Sequence, residues 1–522
     1  MAGHPRPVHL PGSTGLQLPR RWLARCRRPE SVSRRVQEGE VLTSFTTLLL
    51  LSALLAADQP APQTVTSPAP SMLIIIVDDL GWRDLGVTGS EFYETPCIDR
   101  FAADGVRFRR AYAACPVCSP TRVSLQSGIH PARLATTDYF GAPGPTRWNR
   151  NTSHLPAPYN DRLPLDQLTI AEIVREHGYS TFFAGKWHLG PEGYWPEQQG
   201  YQLNRGGWTG GGPYGGKKYF SPYGNPRLTD GPDGEHLPDR LASETIQFIE
   251  QHKQDPFLAV LSFYSVHTPL IARDDLTKKY RQKKKQLGLK PTWGREGQRK
   301  VRQVQEHAVY AGMIEAMDSA VGKVLDALDR LDLEQSTIVM LTSDNGGLST
   351  SEGHPTSNLP LRGGKGWIYE GGIRVPWLAR GPGISGAGRV CDFPIQSTDL
   401  VPTLLELAGL PFPDGWKPDG HSFLKSLTGT DPGTPAPLFW HYPHYGNQGG
   451  SPASAVIDGD WKLIEMLEDQ RLELYHLGQD PGETTILNDR HQEVLLRLTK
   501  MLRKWRQETG ARMPTPRPRS DG

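Results

Sequence analysis

Hydrophobic positions over 72–77 (MLIIIV) are continuous rather than alternating, the pattern of a strand covered on both faces in a parallel sheet. The runs 179–184, 257–264 (FLAVLSFY) and 336–341 read as three more strands. Each predicted strand delivers residues able to do chemistry: Asp78 and Asp79 after the first, Lys186 and His188 after the second, His267 after the third, Asp344 and Asn345 after the fourth. In open α/β sheets ligands bind outside the carboxyl ends of strands. One such ending is no more than a capped turn or a satisfied histidine; four together describe a site. Adjacent carboxylates repel each other and favour a cation between them, and the basic groups suit a tetrahedral anion.

Helical spacing separates the strands. Thr169 and Glu172 form a capping box opening a helix that stops at Gly178. Met313, Met317, Val321, Val324 and Leu328 line one face of a helix predicted over 310–333. From 438 the pattern changes to short strands at 438–442, 454–457, 461–467 and 471–476, then an amphipathic helix over 492–509. The fold class is α/β: a mixed sheet sandwiched by helices over 72–428, with a smaller C-terminal antiparallel sheet plus helix over 438–510. A Pro/Gly-rich linker at 429–437 joins them, and 511–522 reads as a disordered tail.

The N-terminus is of another kind. Residues 41–57 (VLTSFTTLLLLSALLAA) form one apolar run, too short for a comfortable membrane span and suited to a signal-peptide core. The Arg- and Pro-rich stretch before it is long for a signal n-region, so the true start is expected near Val41; Arg34 and Arg35 offer a degenerate twin-arginine signal instead. With 1–58 read as extension plus signal and 59–71 as a Pro/Thr/Ser linker, the expected location is exported, periplasmic or secreted, with a short anchor helix as the alternative.

Composition adds little: 522 residues, 37% hydrophobic and 22% charged, is an ordinary globular balance, and 56 Gly with 46 Pro imply long loops. Residues 1–40 hold eight Arg and three Glu, a net +5 against +2 for the whole chain, so the remainder carries −3 and shows no nucleic-acid footprint. Five cysteines do not make a disulfide scaffold, and Cys115-x-x-Cys118 has no second pair to complete a zinc site. The segment 273–302 has twelve Lys/Arg against three acids. It reads as a solvated excursion, or as a surface for a polyanionic substrate.

The decisive stretch is 118–128 (CSPTRVSLQSG). Pro120 suits a first helical turn, the helix start favours an anion at Cys118, and Arg122 lies one turn on with a fork shaped for oxyanions. The stretch resembles the signature of the formylglycine-dependent (type I, arylsulfatase-like) sulfatase family, C-x-P-x-R with a later Gly. Gln126 and Ser127 depart from the commonest pattern, both beyond the chemistry. Further motifs in family order extend the resemblance over 72–480.

What the resemblance implies is specific. The fold would be alkaline-phosphatase-like, and Cys118 would be oxidised by a formylglycine-generating enzyme to an aldehyde whose hydrate attacks sulfur. Asp78, Asp79, Asp344 and Asn345 would bind one calcium ion, with the modified Cys118 beside it. Arg122 and Lys186 would hold the nucleophile and sulfate oxygens, His188 would take the proton that releases sulfate, and His267 and Lys365 would face the ester oxygen. Taken alone, Lys365, in the Gly-rich loop 361–376, reads as a solvated lysine. Aromatic- and Gly-dense segments at 193–208, 219–223 and 440–444 resemble those of bacterial carbohydrate sulfatases and point to a sulfated saccharide of galactose or hexosamine type. A formylglycine phosphoester or phosphonate hydrolase and a non-catalytic sulfated-glycan binder are the alternative readings. No stable membrane span and no nucleic-acid partner are expected.

Overall fold

The computed structural model describes residues 69–518, so the expected signal run and most of the 59–71 linker lie outside the described residues. The main sheet has eight strands: β1 Ser71–Val77, β2 Val106–Phe108, β3 Ser180–Gly185, β4 Leu203–Arg205, β5 Phe257–Ser262, β6 Thr337–Ser343, β7 Trp377–Arg380 and β8 Arg389–Cys391. Their spatial order is β8-β2-β7-β6-β1-β5-β3-β4. The four strands legible as apolar runs are the adjacent centre, β6-β1-β5-β3, all parallel. Only β7 runs against its neighbours.

Every residue of β1 is buried, because both faces are covered. Leu73, Ile75 and Val77 enter one core, shared with Tyr310, Met317 and Val324 of the helix Ala308–Arg330. Met72, Ile74 and Ile76 enter the other, with Val123 and Leu125 of the helix Cys118–Ser127 and Leu404 of Leu400–Leu407. Register keeps the strand ends level: Val77 pairs with Ser343, and Ser262 pairs with both Ile76 and Gly185. The polar residues that follow therefore emerge along one edge.

The C-terminal sheet follows the expected pattern: β9 Leu438–Tyr442, β10 Ala453–Asp458, β11 Trp461–Met466 and β12 Leu472–His476 form an antiparallel meander. Leu498 and Leu502 of the helix Gln492–Thr509 pack on it through Val456, Leu463 and Leu474.

Three local expectations change. The helix predicted over 310–333 starts earlier, since His307 Nδ1 accepts the Tyr310 N–H at 3.2 Å and caps it. The basic segment 273–302 is largely exposed, as expected of a solvated excursion, but it is ordered and anchored. Its helix Asp274–Gln286 buries Thr277 and Tyr280, while Lys279 and Lys283 pair with Glu94; a hairpin, Trp293–Glu296 with Arg299–Arg302, follows. Part of the expected tail is tied down: Thr515–Pro516 pairs with His154–Leu155, and the Arg517 N–H donates to the Ser153 carbonyl at 3.0 Å. Among the described residues no helix is long and apolar enough to cross a membrane.

Candidate active site

Cys118 begins a helix whose ten residues are all buried. Val117 precedes it in extended conformation and supplies no side-chain cap, so the first-turn N–H groups keep a positive end beside the thiol. Pro120 removes one of those donors, and Gly128, at φ +70°, stops the helix in the left-handed conformation. Burial pushes the Cys118 thiol above its ordinary pKa, against the pull of Lys186 and Lys365.

Arg122, 2% exposed, reaches inward from this helix. Its Nε donates to Asp344 Oδ2 at 2.8 Å, and its Nη1 donates to the Lys186 carbonyl at 2.8 Å and Ser262 Oγ at 2.7 Å. One arginine thus ties the ends of β3, β5 and β6 together. Lys186, fully buried, donates to Asp78 Oδ2 at 2.7 Å. Only glycine fits immediately before it: Gly185 has φ +98°, and a Cβ there would lie 1.8 Å from the Ser262 carbonyl oxygen.

Lys365 is not solvated. It is 4% exposed, and its Nζ lies 2.7 and 2.8 Å from the two Asp79 carboxylate oxygens. Burial is the largest effect and opposes its charge, but Asp79, with Cys118, Glu352 and Asp78 adding to it, raises its pKa well above the ordinary value. Asp79 is itself held low despite burial, chiefly by the Lys365 ammonium. Asp344 is likewise lowered against burial by Arg122 and Lys186. Asp78 moves the other way: burial, with the like charges of Asp344 and Asp79, raises it well above normal despite Lys186.

The two histidines are neutral. Burial lowers both, His267 to about 3 and His188 well below its ordinary value, and the neighbouring lysines add to the effect. His188 Nε2 lies 3.1 Å from the Phe140 carbonyl oxygen, which can only accept, so Nε2 carries the proton. Its Nδ1 lone pair then faces Cys118 Sγ at 3.5 Å and Ser119 Oγ at 3.2 Å. His188 and Asp79 both hold left-handed backbone, φ +56° and +62°, the kind of strain that clusters at functional sites.

A cation suits this donor set. Asp78 Oδ1 and Asn345 Oδ1 are buried acceptors without a hydrogen-bond donor, costly alone and satisfied by a hard ion. Asp78, Asp79 and His267 offer ligand atoms within 4.8 Å of one another. Asp344 and Asn345 join through Asp79, whose N–H donates to Asp344 Oδ1 at 3.2 Å and whose Oδ1 accepts from Asn345 Nδ2 at 2.8 Å. Arg122 Nη2 is a buried donor without an acceptor, the complement an oxyanion needs.

The structure thus brings together every residue the sequence singled out: Asp78, Asp79, Cys118, Arg122, Lys186, His188, His267, Asp344, Asn345 and Lys365. Cys118, His188, His267 and Lys365 line a cavity of about 400 Å³. The sequence reading missed the outer part of that cavity, where Tyr139, Thr209, Tyr214, Glu352, Asn447 and Gln448 stand. They come from four separate loops, and no local pattern marks them. Ser262 was missed too, although its place at a strand end was a signal.

Comparison with known proteins agrees with this geometry. The chain is 31% identical to a sulfatase of Formosa agariphila, over 88% of this chain and 92% of that one. It is 29% identical to the N-acetylgalactosamine-6-sulfatase of Mus musculus, over 88% and 89%. Among solved structures, Ps i-CgsB superposes with a TM-score of 0.69 at 26% identity, covering 84% of this chain and 93% of that one. The N-sulphoglucosamine sulphohydrolase C-terminal family model matches residues 364–508. The sulfatase family model matches 70–410, the span that carries all the residues assembled at the strand ends, and the chain belongs to this family of sulfuric ester hydrolases.

Proposed function

We propose that this sulfatase removes sulfate from a saccharide, with position 118 as the nucleophile after oxidation of Cys118 to formylglycine by a dedicated maturation enzyme. The observation that carries the reading is the His188 Nδ1 lone pair directed at position 118, beside cationic groups anchored on buried carboxylates. Oxidised, position 118 supplies paired hydroxyls on one carbon, a nucleophile that can be restored without hydrolysing a stable ester. Asp78, Asp79, Asp344 and Asn345 would hold a calcium ion, which when bound neutralises charge on the sulfate oxygens.

The chain's own groups do the rest. Arg122 and Lys186 hold sulfate oxygens and stabilise charge developing in the transition state. His188 Nδ1 accepts the proton that sulfate release requires. Lys365, kept charged by Asp79, and neutral His267 face the ester oxygen and assist departure of the alcohol. The S–O bond to the sugar breaks, one water is consumed overall, and alcohol, sulfate and a proton leave. Support for a saccharide comes from relatives: an N-acetylgalactosamine-6-sulfatase by name, and Ps i-CgsB also solved in complex with k-i-k-neocarrahexaose. Export through 41–57 belongs to the same reading.

The test is twofold. The tryptic peptide 111–122 from native-host protein should carry an aldehyde at Cys118. The same protein should hydrolyse members of a sulfated galactose and hexosamine panel faster than matched phosphate and phosphonate esters. An unmodified thiol in active protein, or preference for the phosphorus esters, would overturn the proposal.

A further inference from the structure

Two residues lining the catalytic cavity carry a formal charge, Lys365 and Glu352. Lys365 is engaged by both oxygens of Asp79. The remaining outer lining, with Tyr139, Thr209, Tyr214, Asn447 and Gln448, is neutral. Arg150 and Arg299 both contact Asn447, through its Oδ1 at 3.4 Å and its carbonyl at 3.0 Å, yet neither lines the cavity. The electrostatic face turned to whatever surrounds the sulfate is therefore that of one carboxylate among neutral hydrogen-bonding groups.

Glu352 is placed deliberately. It sits at φ +49° in a turn with Gly353 at +90° and His354 at +49°, conformations uncommon for residues with a Cβ. The His354 N–H closes the turn on the Ser351 carbonyl at 2.7 Å. The basic hairpin buttresses it: Arg302 Nε donates to the His354 carbonyl, and Trp293 meets the His354 ring edge-on at 5.3 Å. Gln448 Nε2 donates to Glu352 Oε1 at 2.8 Å, leaving Oε2 to accept from a ligand. An exposed carboxylate held this way accepts hydrogen bonds from hydroxyls and repels a nearby anion.

We infer that Glu352 is a specificity-determining residue that confines the enzyme to sugars whose sulfated ring carries no second anionic group, by accepting a ring hydroxyl and repelling a further sulfate or a carboxylate. The substrate class is then a monosulfated neutral sugar, a statement that rests on the saccharide reading above and narrows it.

The experiment compares methyl galactosides bearing one sulfate with counterparts bearing a second sulfate on the same ring. Wild type should favour the monosulfated member of the pair it hydrolyses by at least about tenfold in kcat/KM, roughly one like-charge contact at partial exposure. Glu352→Gln should shrink that ratio to about threefold or less, mainly through a higher KM for the monosulfated sugar and a lower one for the disulfated. Glu352→Lys should invert it. Equal turnover of both sugars by wild type, or an unchanged ratio in both variants, would overturn the inference. Calorimetric binding of the same pair to Cys118→Ala protein reads the preference without turnover. Absent hydrolysis with the binding preference intact would sink the saccharide-hydrolase reading and spare the selectivity; hydrolysis with no preference would do the reverse.

Discussion

Lys462 gives the most exacting test of how the two sheets serve one site. It stands on β11, fully buried, with Nζ 2.8 Å from Glu483 Oε1, 3.1 Å from Glu370 Oε1 and 3.0 Å from the Ile368 carbonyl. Glu370 also accepts from Arg374 at 2.8 Å and Tyr112 at 3.1 Å, and its N–H donates to Glu483 Oε2 at 2.7 Å. Burial alone would raise the Glu370 pKa, but Lys462 and Arg374 outweigh it and hold the group low. Burial pushes Glu483 up to about 7 against the pull of Lys462. Lys462→Met keeps the volume and removes the charge, leaving two carboxylates with Arg374 alone. Removing one partner of a buried ion cluster costs about 3–5 kcal/mol. With a urea slope of about 3 kcal/mol per M, the midpoint should fall by roughly 1–1.7 M. The sign with pH follows: a carboxyl raised in the folded state destabilises as pH climbs from its unfolded value toward its folded one. Without Lys462 that folded value rises further, so the loss should be largest above pH 7 and shrink toward pH 5 as Glu483 takes a proton. Lys462→Met/Glu483→Gln should recover about 1–3 kcal/mol by removing the orphaned charge. A midpoint shift under 0.3 M (less than about 1 kcal/mol at this slope), or one indifferent to pH, would refute the reasoning. Residues 368–370 lie just beyond Lys365, so sulfatase activity should fall before the global transition.

Other outcomes follow from the same geometry. Calcium chelation should lower the thermal midpoint and calcium should restore it, since a ligand at 100 times its Kd adds about 2.7 kcal/mol; an unmoved midpoint would mean the carboxylate cluster needs no ion. His188→Ala should cost about 10²–10⁴ in kcat with near-native circular dichroism, and a loss below tenfold would remove His188 from proton transfer. Burial holds His441 at about 3, bonded to Ser454 Oγ and the Arg512 carbonyl at 2.8 and 2.9 Å. Its lowered value means stability is lost as pH falls from about 6.5 toward 3, so His441→Gln should flatten that acid limb in calorimetric scans.

The central strands were legible because burial on both faces leaves nothing but apolar residues, and the chemistry was legible because it sits where those runs stop. The outer strands β2, β7 and β8 are three or four residues long, too short for a period to register. The burial of Lys365 could not be read from a glycine-rich loop, since it depends on Asp79, nearly three hundred positions away, and on a clamp from the second sheet. His267 looked like a group facing the leaving oxygen; its approach to Asp79 Oδ2, 3.8 Å, follows from level strand ends rather than from any motif. Glu352 was illegible for the same reason: its meaning lies in which loops surround it.

The alternation within β1 fixes something other than side-chain identity. Successive residues serve opposite cores, while the chain beyond Val77 delivers Asp78 and Asp79 to the site. Exchanging one aliphatic residue for another alters packing on one face only. Losing or gaining one residue would reverse both faces and displace the carboxylates by about 3.3 Å, more than ten times the tolerance of a ligand bond. The freedom to vary at this strand therefore lies in spelling, not in length.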